Sequence, residues 1–321
     1  MGTIIARLAH LGQAGFADYV RKNTGLILHG KHEPAAPPRA VVLGATGVIG
    51  RATAPLLRAR GIEVLGLGSR EVDLAAPDAE SQLEQRLRAD DSLVMLAALT
   101  PDRGRDLGTM LLNLRMASAV CQALRRRPVR HVIYLSADAV YPMQEGAIDE
   151  STPPEPRDPY SAMHLAREDM FRRLAGAPVA ILRATQVCSA EDTHHAYGPS
   201  RFFQQAARDG RIELFGGGEE TRDHIMVDDV AAILYFCLVH ASAGTLNVAT
   251  GRSLSFLRVA EIVAQSRRPR PEIVFLPRRQ AVTHRTFDVS ALRVAFPGWK
   301  PTSLEDGIAQ FASGRRTVAA T

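Results

Sequence analysis

Three glycines spaced three apart, Gly44, Gly47 and Gly50, close the run VVLGATGVIG at residues 41–50. Glycines so placed suit a phosphate cradle. Apolar residues lead into Gly44, and RATAPLLRARG follows Gly50, with Leu56 and Leu57 continuing a helical face. The pattern predicts a buried parallel strand, a tight turn and the first turn of a helix. Gly44 allows the turn, Gly47 lets the backbone approach a pyrophosphate, and Gly50 lets helix and strand pack closely. The helix start, Thr46 to Gly50 with Val48 and Ile49 between, then presents free N–H groups and a positive dipole end to the phosphates. A second strand pattern, EVLGLG, runs into Ser69 and Arg70. An acid at that strand end would bind the ribose 2′-OH of NAD. A hydroxyl and a guanidinium instead suit the 2′-phosphate of NADP. The expected cofactor is therefore NADP, with NAD possible, and Asp73 and Leu74 fall near the adenine.

These residues need a scaffold, and the pattern from residue 39 onward supplies one. Strand candidates at 40–44, 62–67, 92–97, 130–136 and 178–183 alternate with helical stretches at 48–60, 80–89, 105–126 and 159–174. Such alternation predicts an α/β fold, a Rossmann-like doubly wound parallel sheet. The pattern loosens over 184–223, which is rich in Gly, His and charge. TLNVAT at 245–250 reads as a further strand and SLSFLRVAEIVAQ as a helix. The expected organisation is an extension and proline-stiffened linker over 1–38, a dinucleotide-binding domain over 39–183 to which 224–252 returns, and a smaller C-terminal α/β substrate lobe from 184–223 and 253–321. In the extension, Ile4, Leu8, Leu11 and Val20 suggest a short, partly helical piece that packs on the body or on a second subunit.

Composition narrows the function. The chain has 321 residues, 46% hydrophobic and 23% charged, as in an ordinary globule. Lys plus Arg exceeds Asp plus Glu by 39 − 34 = 5. That mild excess suits an anionic small molecule and does not call for nucleic acid. Three cysteines, Cys121, Cys188 and Cys237, have no paired spacing and read as buried thiols in a reducing compartment. No apolar run approaches the roughly 20 residues of a membrane span, and the start lacks a signal-peptide pattern, so cytoplasm is expected. In THHAYGPSRFF the adjacent His194 and His195 point apart, with no Cys or carboxylate to complete a ligand set, so no metal site is expected. The same loop supplies Tyr197 and Arg201.

At 131–142 the chain reads HVIYLSADAVYP, and DPYSAMHLARE places Tyr160 nineteen residues after Tyr141. Together with GATGVIG, RDHIMVDDVA at 222–231 and GWKPTSLEDGIA at 298–309, these segments resemble the extended short-chain dehydrogenase/reductase superfamily, the NAD-dependent epimerase/dehydratase family. The resemblance covers about residues 39–310. It implies a homodimer through helices 105–126 and 159–174. It implies cofactor contacts at Ala97 and Ala98 after the third strand. It also implies that Tyr160 moves the proton while a hydride moves to or from nicotinamide C4. Arg222 and Arg285 match positions that hold nucleotide phosphates or ribose, where a bidentate guanidinium suits a pyrophosphate. With Arg201 and Asp138 they form the expected substrate side. Asp228 matches a structural acid.

Two departures alter the expected chemistry. The family's lysine, four residues after the tyrosine, is here His164. A histidine near its reference pKa of about 6.5 hydrogen-bonds the nicotinamide ribose but aids the tyrosine as a cation only when protonated, which predicts pH dependence between about 6 and 8. The family's Ser/Thr is Ala137, with Ser136 one residue early and expected on the other strand face. Losing a donor of that kind costs on the order of 2.7–4 kcal/mol of transition-state stabilisation. Asp138 follows directly. In the family's dehydratases that position is an acid, so Asp138 either protonates a leaving hydroxyl or caps the following turn. The catalytic set is thus Tyr160, His164 and Asp138. The expected function is epimerisation, dehydration or reduction of a nucleotide-linked or other anionic sugar. The alternatives are a weakly active or inactive NADP-binding structural or regulatory protein, and the same fold acting on a non-sugar metabolite.

Overall fold

The computed structural model describes residues 27–313 except 31–32, 145, 175, 193–197 and 279. Ile4, Leu8, Leu11, Val20, His194, His195 and Tyr197 lie outside these residues. Continuous apolar strands need cover on both faces, and here they receive it. Strands β1 (Arg39–Leu43), β2 (Glu63–Leu67), β3 (Asp91–Met95), β4 (His131–Ala137), β6 (Val179–Ala184) and β10 (Gly244–Val248) form one parallel sheet in the order β10-β6-β4-β3-β1-β2. Side chains alternate across it. Val42, Val94, Ile133 and Leu182 pack with Leu57 and Ile233 of helices α1 (Val48–Ala59) and α6 (Val227–Val239). Val41, Leu43, Leu93 and Val132 face Leu83, Val120 and Phe171 of α2 (Ala79–Glu84), α3 (Leu107–Arg126) and α4 (Pro159–Arg172).

The strand order reverses between β1 and β3, and ligands of such sheets bind outside the carboxyl ends at that point. Helix α4 starts there sharply. Pro159 holds the first position, Asp158 Oδ1 accepts from Ser161 N, and Ser161 Oγ accepts from Asp158 N. This reciprocal cap fixes the turn that carries Tyr160.

A smaller lobe is built from β7 (Gln186–Cys188), α5 (Gly198–Asp209), β8 (Arg211–Phe215), β9 (Thr221–Met226), β11 (Ser253–Ser255), α7 (Phe256–Gln265), β12 (Glu272–Leu276) and α9 (Leu304–Ser313). Its own core centres on Phe202, Leu214, Val259 and Ile308. Strands β11, β9 and β7 form one small sheet and β12 with β8 another. Between the lobe's segments, α6 and β10 rejoin the main layer. The predicted helix of SLSFLRVAEIVAQ starts later than its apolar spacing suggests. Residues 253–255 pair with β9, and Ser255 Oγ then caps α7 by accepting from Arg258 N. A short pair, β5 (Ala147–Ile148) with β13 (Thr286–Phe287), brings Arg285 back beside residue 138. Near the start, Leu28 bridges to Ala243 and His29 Nδ1 bonds Ser242 Oγ at 3.0 Å, so residues 28–29 lie against the body. Cys121, Cys188 and Cys237 are buried free thiols. No described helix is long and apolar enough to cross a membrane.

Candidate active site

A cleft of about 990 Å³ opens at the carboxyl ends of β1–β4 and runs on between the sheet and the smaller lobe. Its dinucleotide end is lined by Gly44, Thr46, Gly47, Val48, Ile49, Gly50, Ser69, Asp73, Leu74, Ala97 and Ala98. Tyr160, His164, Asp138, Arg222 and Arg285 line its other end. Two of the predicted residues lie off the lining. Arg70 is exposed at the rim beside Ser69, and Arg201 is half-buried on the first turn of α5.

The glycine turn separates two demands. A Cβ on Gly50 would sit 2.3 Å from Gly44 O and 2.6 Å from Ala45 Cα, so the protein's own packing requires glycine there. Gly44 has φ of +87°, and a Cβ would meet Ala97 N at 2.8 Å. A Cβ on Gly47, by contrast, would meet only Gly44 O, at 3.3 Å. Packing constrains position 47 far less than position 50, since Gly44 O would have to give by only a few tenths of an ångström, whereas a phosphate lying against that backbone would leave no room for a side chain. Gly47 is also the N-cap of α1, with no side-chain cap and no acid in the first turn, so the helix presents its free N–H groups to the cleft. This cradle fits the pyrophosphate of a nicotinamide dinucleotide.

The loop after β3 is held from below. Asn113 of α3 accepts from Leu99 N at 2.8 Å and donates to Leu99 O at 3.0 Å. Arg167 of α4 is fully buried and donates to Ala97 O at 2.8 Å. Sequence reading missed both. The one signal for Asn113 is an amide set in the apolar helical run MLLNLRMASAV. Ser136 was expected to turn away from the site. It reaches the cleft wall, but its Oγ donates to Glu168 Oε1 at 2.6 Å, and Arg183 clamps the same carboxylate with two bonds of 2.9 and 2.7 Å. That pairing holds the Glu168 carboxyl below its usual range despite burial. Ser136 therefore does not replace the donor absent at Ala137.

His164 is 3% exposed. Its Nδ1 lies 2.7 Å from Tyr134 Oη, and its ring meets Tyr160 edge-on at 4.7 Å between centroids. Burial, with the Arg167 charge adding to it, pushes its pKa down to about 3. The imidazole is neutral at working pH, and the predicted titration between 6 and 8 is absent for this physical reason. Asp138 is paired with Arg285 at 3.0 Å; burial pushes its carboxyl up while Arg285 holds it down, and burial prevails. Arg285 also donates to Tyr141 O at 3.1 Å. Arg222 donates to Thr221 O and to both oxygens of Thr283 at 2.7–2.8 Å. Arg285 thus pairs with Asp138 directly while Arg222 acts on that carboxylate only through its charge, and two guanidiniums at one end of the cleft suit an anion. Asp229, next to Asp228, anchors the C-terminal segment, accepting from Thr302 N at 2.8 Å and Thr302 Oγ1 at 3.1 Å. Among the described residues no His, Cys, Asp and Glu group suited to a metal occurs.

Comparison with known proteins bears on this arrangement. The family model for the NAD dependent epimerase/dehydratase family matches residues 40–249. The dTDP-L-rhamnose 4-epimerase of Burkholderia thailandensis is 32% identical over 171 residues, which are 50% of this chain and 47% of that protein. The matched stretch therefore spans about half of that relative's length. The UDP-glucose 4-epimerase of Mycolicibacterium smegmatis is 27% identical over 304 residues, 85% of this chain and 96% of that one. Among solved structures, RMD from Pseudomonas aeruginosa, complexed with NADPH, superposes with a TM-score of 0.76 at 25% identity, covering 86% of this chain and 98% of that one.

Proposed function

The chain belongs to the NAD dependent epimerase/dehydratase family, and from that premise we propose that it is an NADP-preferring enzyme acting on a nucleotide-linked or similarly anionic sugar. One observation carries this reading. A single cleft joins the glycine cradle to Tyr160, His164, Asp138 and the Arg222–Arg285 pair. When bound, nicotinamide accepts or returns a hydride at C4. Tyr160 takes or gives the proton at the substrate's hydroxyl oxygen. Ser69 and Arg70 receive the 2′-phosphate at the rim. Arg222 and Arg285 hold the substrate's phosphates, and Asp138 stands beside them, its carboxyl raised by burial as a general acid requires. The pairing of α3 with α4 across two copies makes the protein a homodimer in this reading.

A second reading, a cofactor-binding protein with little turnover, is favoured by a specific set of contacts. Ala137 offers no donor, Ser136 is committed to Glu168, and His164 is neutral.

Calorimetry and turnover separate the two. NADPH is expected to bind at least tenfold more tightly than NADH, since a charge-assisted contact contributes about 1.5–3 kcal/mol, and Arg70→Ala removes the difference. Equal binding of the two cofactors contradicts the NADP assignment. Tyr160→Phe leaves cofactor affinity nearly unchanged and lowers turnover on a nucleotide-sugar substrate roughly a hundredfold or more. Tight cofactor binding with no turnover by the wild type across such substrates decides for the second reading.

A further inference from the structure

Tyr134 lies in the middle of β4, 1% exposed, with its ring stacked on Phe171 at 4.9 Å. Its hydroxyl meets His164 Nδ1 at 2.7 Å. A phenol has one proton to give, and a buried O–H without an acceptor is unfavourable. Burial pushes the phenol's pKa up, so it keeps its proton; the Ser136 hydroxyl nearby opposes that only weakly, and its own proton goes to Glu168 Oε1 at 2.6 Å. Among the described residues the close, well-formed hydrogen bond of the Tyr134 oxygen is the one to His164 Nδ1. Arg167 adds a bias. Its guanidinium carbon stands 5.1 Å from the Tyr134 ring centroid, and a cation there makes the phenol a better donor. The other nitrogen, His164 Nε2, is buried with no partner among the described residues, and the ring that carries it lines the cleft.

We propose that Tyr134 is the positioning residue for His164: its hydroxyl donates to Nδ1 and so fixes the imidazole in the form that carries its proton on Nε2, the nitrogen left for the cleft. His164 then offers one uncharged N–H donor to a ribose hydroxyl oxygen of the bound dinucleotide. A lysine in its place would bring a charge; this pair supplies direction without one. What the N–H meets rests on the functional reading above, whereas the tautomer and its cause do not.

The test begins with the apo protein. Long-range 1H–15N correlation of the 15N-labelled histidine ring is expected to show the Nε2–H form of His164 in the wild type. In Tyr134→Phe, which keeps the ring and its stacking, a mixture with the Nδ1–H form is expected. Calorimetry of NADPH binding then gives a coupling. Tyr134→Phe is expected to weaken binding about two- to tenfold when His164 is present, as for one neutral hydrogen bond, and to have no effect in a His164→Ala background. An Nδ1–H wild type overturns the proposal. So does an equal effect of Tyr134→Phe with and without His164, which is what a merely structural tyrosine produces. If neither NADPH nor NADH binds, the functional reading falls, and the apo tautomer still decides the role of Tyr134.

Discussion

His164 is buried beside the Tyr134 phenol, and its burial and the Arg167 charge both oppose the imidazolium. Burial removes its hydration and Arg167 repels its charge, leaving a pKa of about 3. A base whose folded pKa is depressed contributes stability above its unfolded value of about 6.5, and this is lost as pH falls toward 3. Between pH 6 and 8 it exchanges no proton. Profiles of kcat/KM over that range should therefore show no inflection that His164→Gln removes. An inflection near 6.5 that vanishes in His164→Gln contradicts the buried, neutral histidine. Asp138 poses a different question at the same scale. If it protonates a leaving hydroxyl, Asp138→Asn lowers kcat about 10²- to 10⁴-fold with KM little changed. If it only orders the turn and pairs Arg285, the variant raises KM for an anionic substrate and leaves kcat near wild type. The sequence carried the identities of these residues but not their states. Ala137 and His164 are plain in the motif, yet the phenol that bonds His164 and the carboxylate that occupies Ser136 come from sequence separations of 30 and 32 residues. No local spacing encodes those contacts.

The strand–turn–helix unit shows what an element demands of its glycines. Gly50 is required by the contact of α1 with the turn, where a Cβ would lie 2.3 Å from Gly44 O. At Gly47 a Cβ would meet the same Gly44 O only at 3.3 Å, and the residue borders the cleft. Gly50→Ala is therefore expected to lower thermal stability, by about 1–3 kcal/mol as for overpacking, whether or not cofactor is present. Gly47→Val is expected to leave the apo melting temperature nearly unchanged and to abolish calorimetric binding of NADPH. A Gly47→Val protein that still binds NADPH at wild-type strength removes the cradle assignment. This unit was legible because its physics is local. Apolar runs needing cover on both faces and glycine spacing both act within a few residues. For the same reason β3 and β4 lie within two residues of their predicted bounds, at 91–95 and 131–137. The clamp of Asn113 and Arg167 on the β3 loop was not legible, because its partners lie 14 and 70 residues away. The start of α7 was misplaced because pairing of residues 253–255 with β9 overrides their helical spacing.

At the scale of the molecule, one surface bears on the proposed dimer and another on how the C-terminal segment is held. On α3, Leu107 and Leu111 are 68% and 64% exposed one turn apart, an apolar stripe that suits the helix seam of a dimer. Light scattering should show a dimer for the wild type and a monomer for Leu107→Glu/Leu111→Glu; a monomeric wild type contradicts the seam. At the second surface a buried carboxylate helps to fasten the C-terminal segment to the main layer. Asp229 of α6 is 3% exposed and accepts both bonds from Thr302, at 2.8 and 3.1 Å. Burial outweighs those bonds, and with Asp228 adding its charge the pKa is pushed up to about 6 from 3.8. The folded protein thus favours the protonated acid. Its contribution to stability is full below about pH 4 and is lost as pH rises through 6, by up to about 3 kcal/mol for a shift of some two pH units. Asparagine keeps an acceptor for Thr302 N and carries no charge. Asp229→Asn should therefore gain stability relative to the wild type between pH 4 and pH 8, read as the difference of two denaturant midpoints at each pH. A difference that stays constant across that range means that Asp229 is as well solvated as a surface carboxylate.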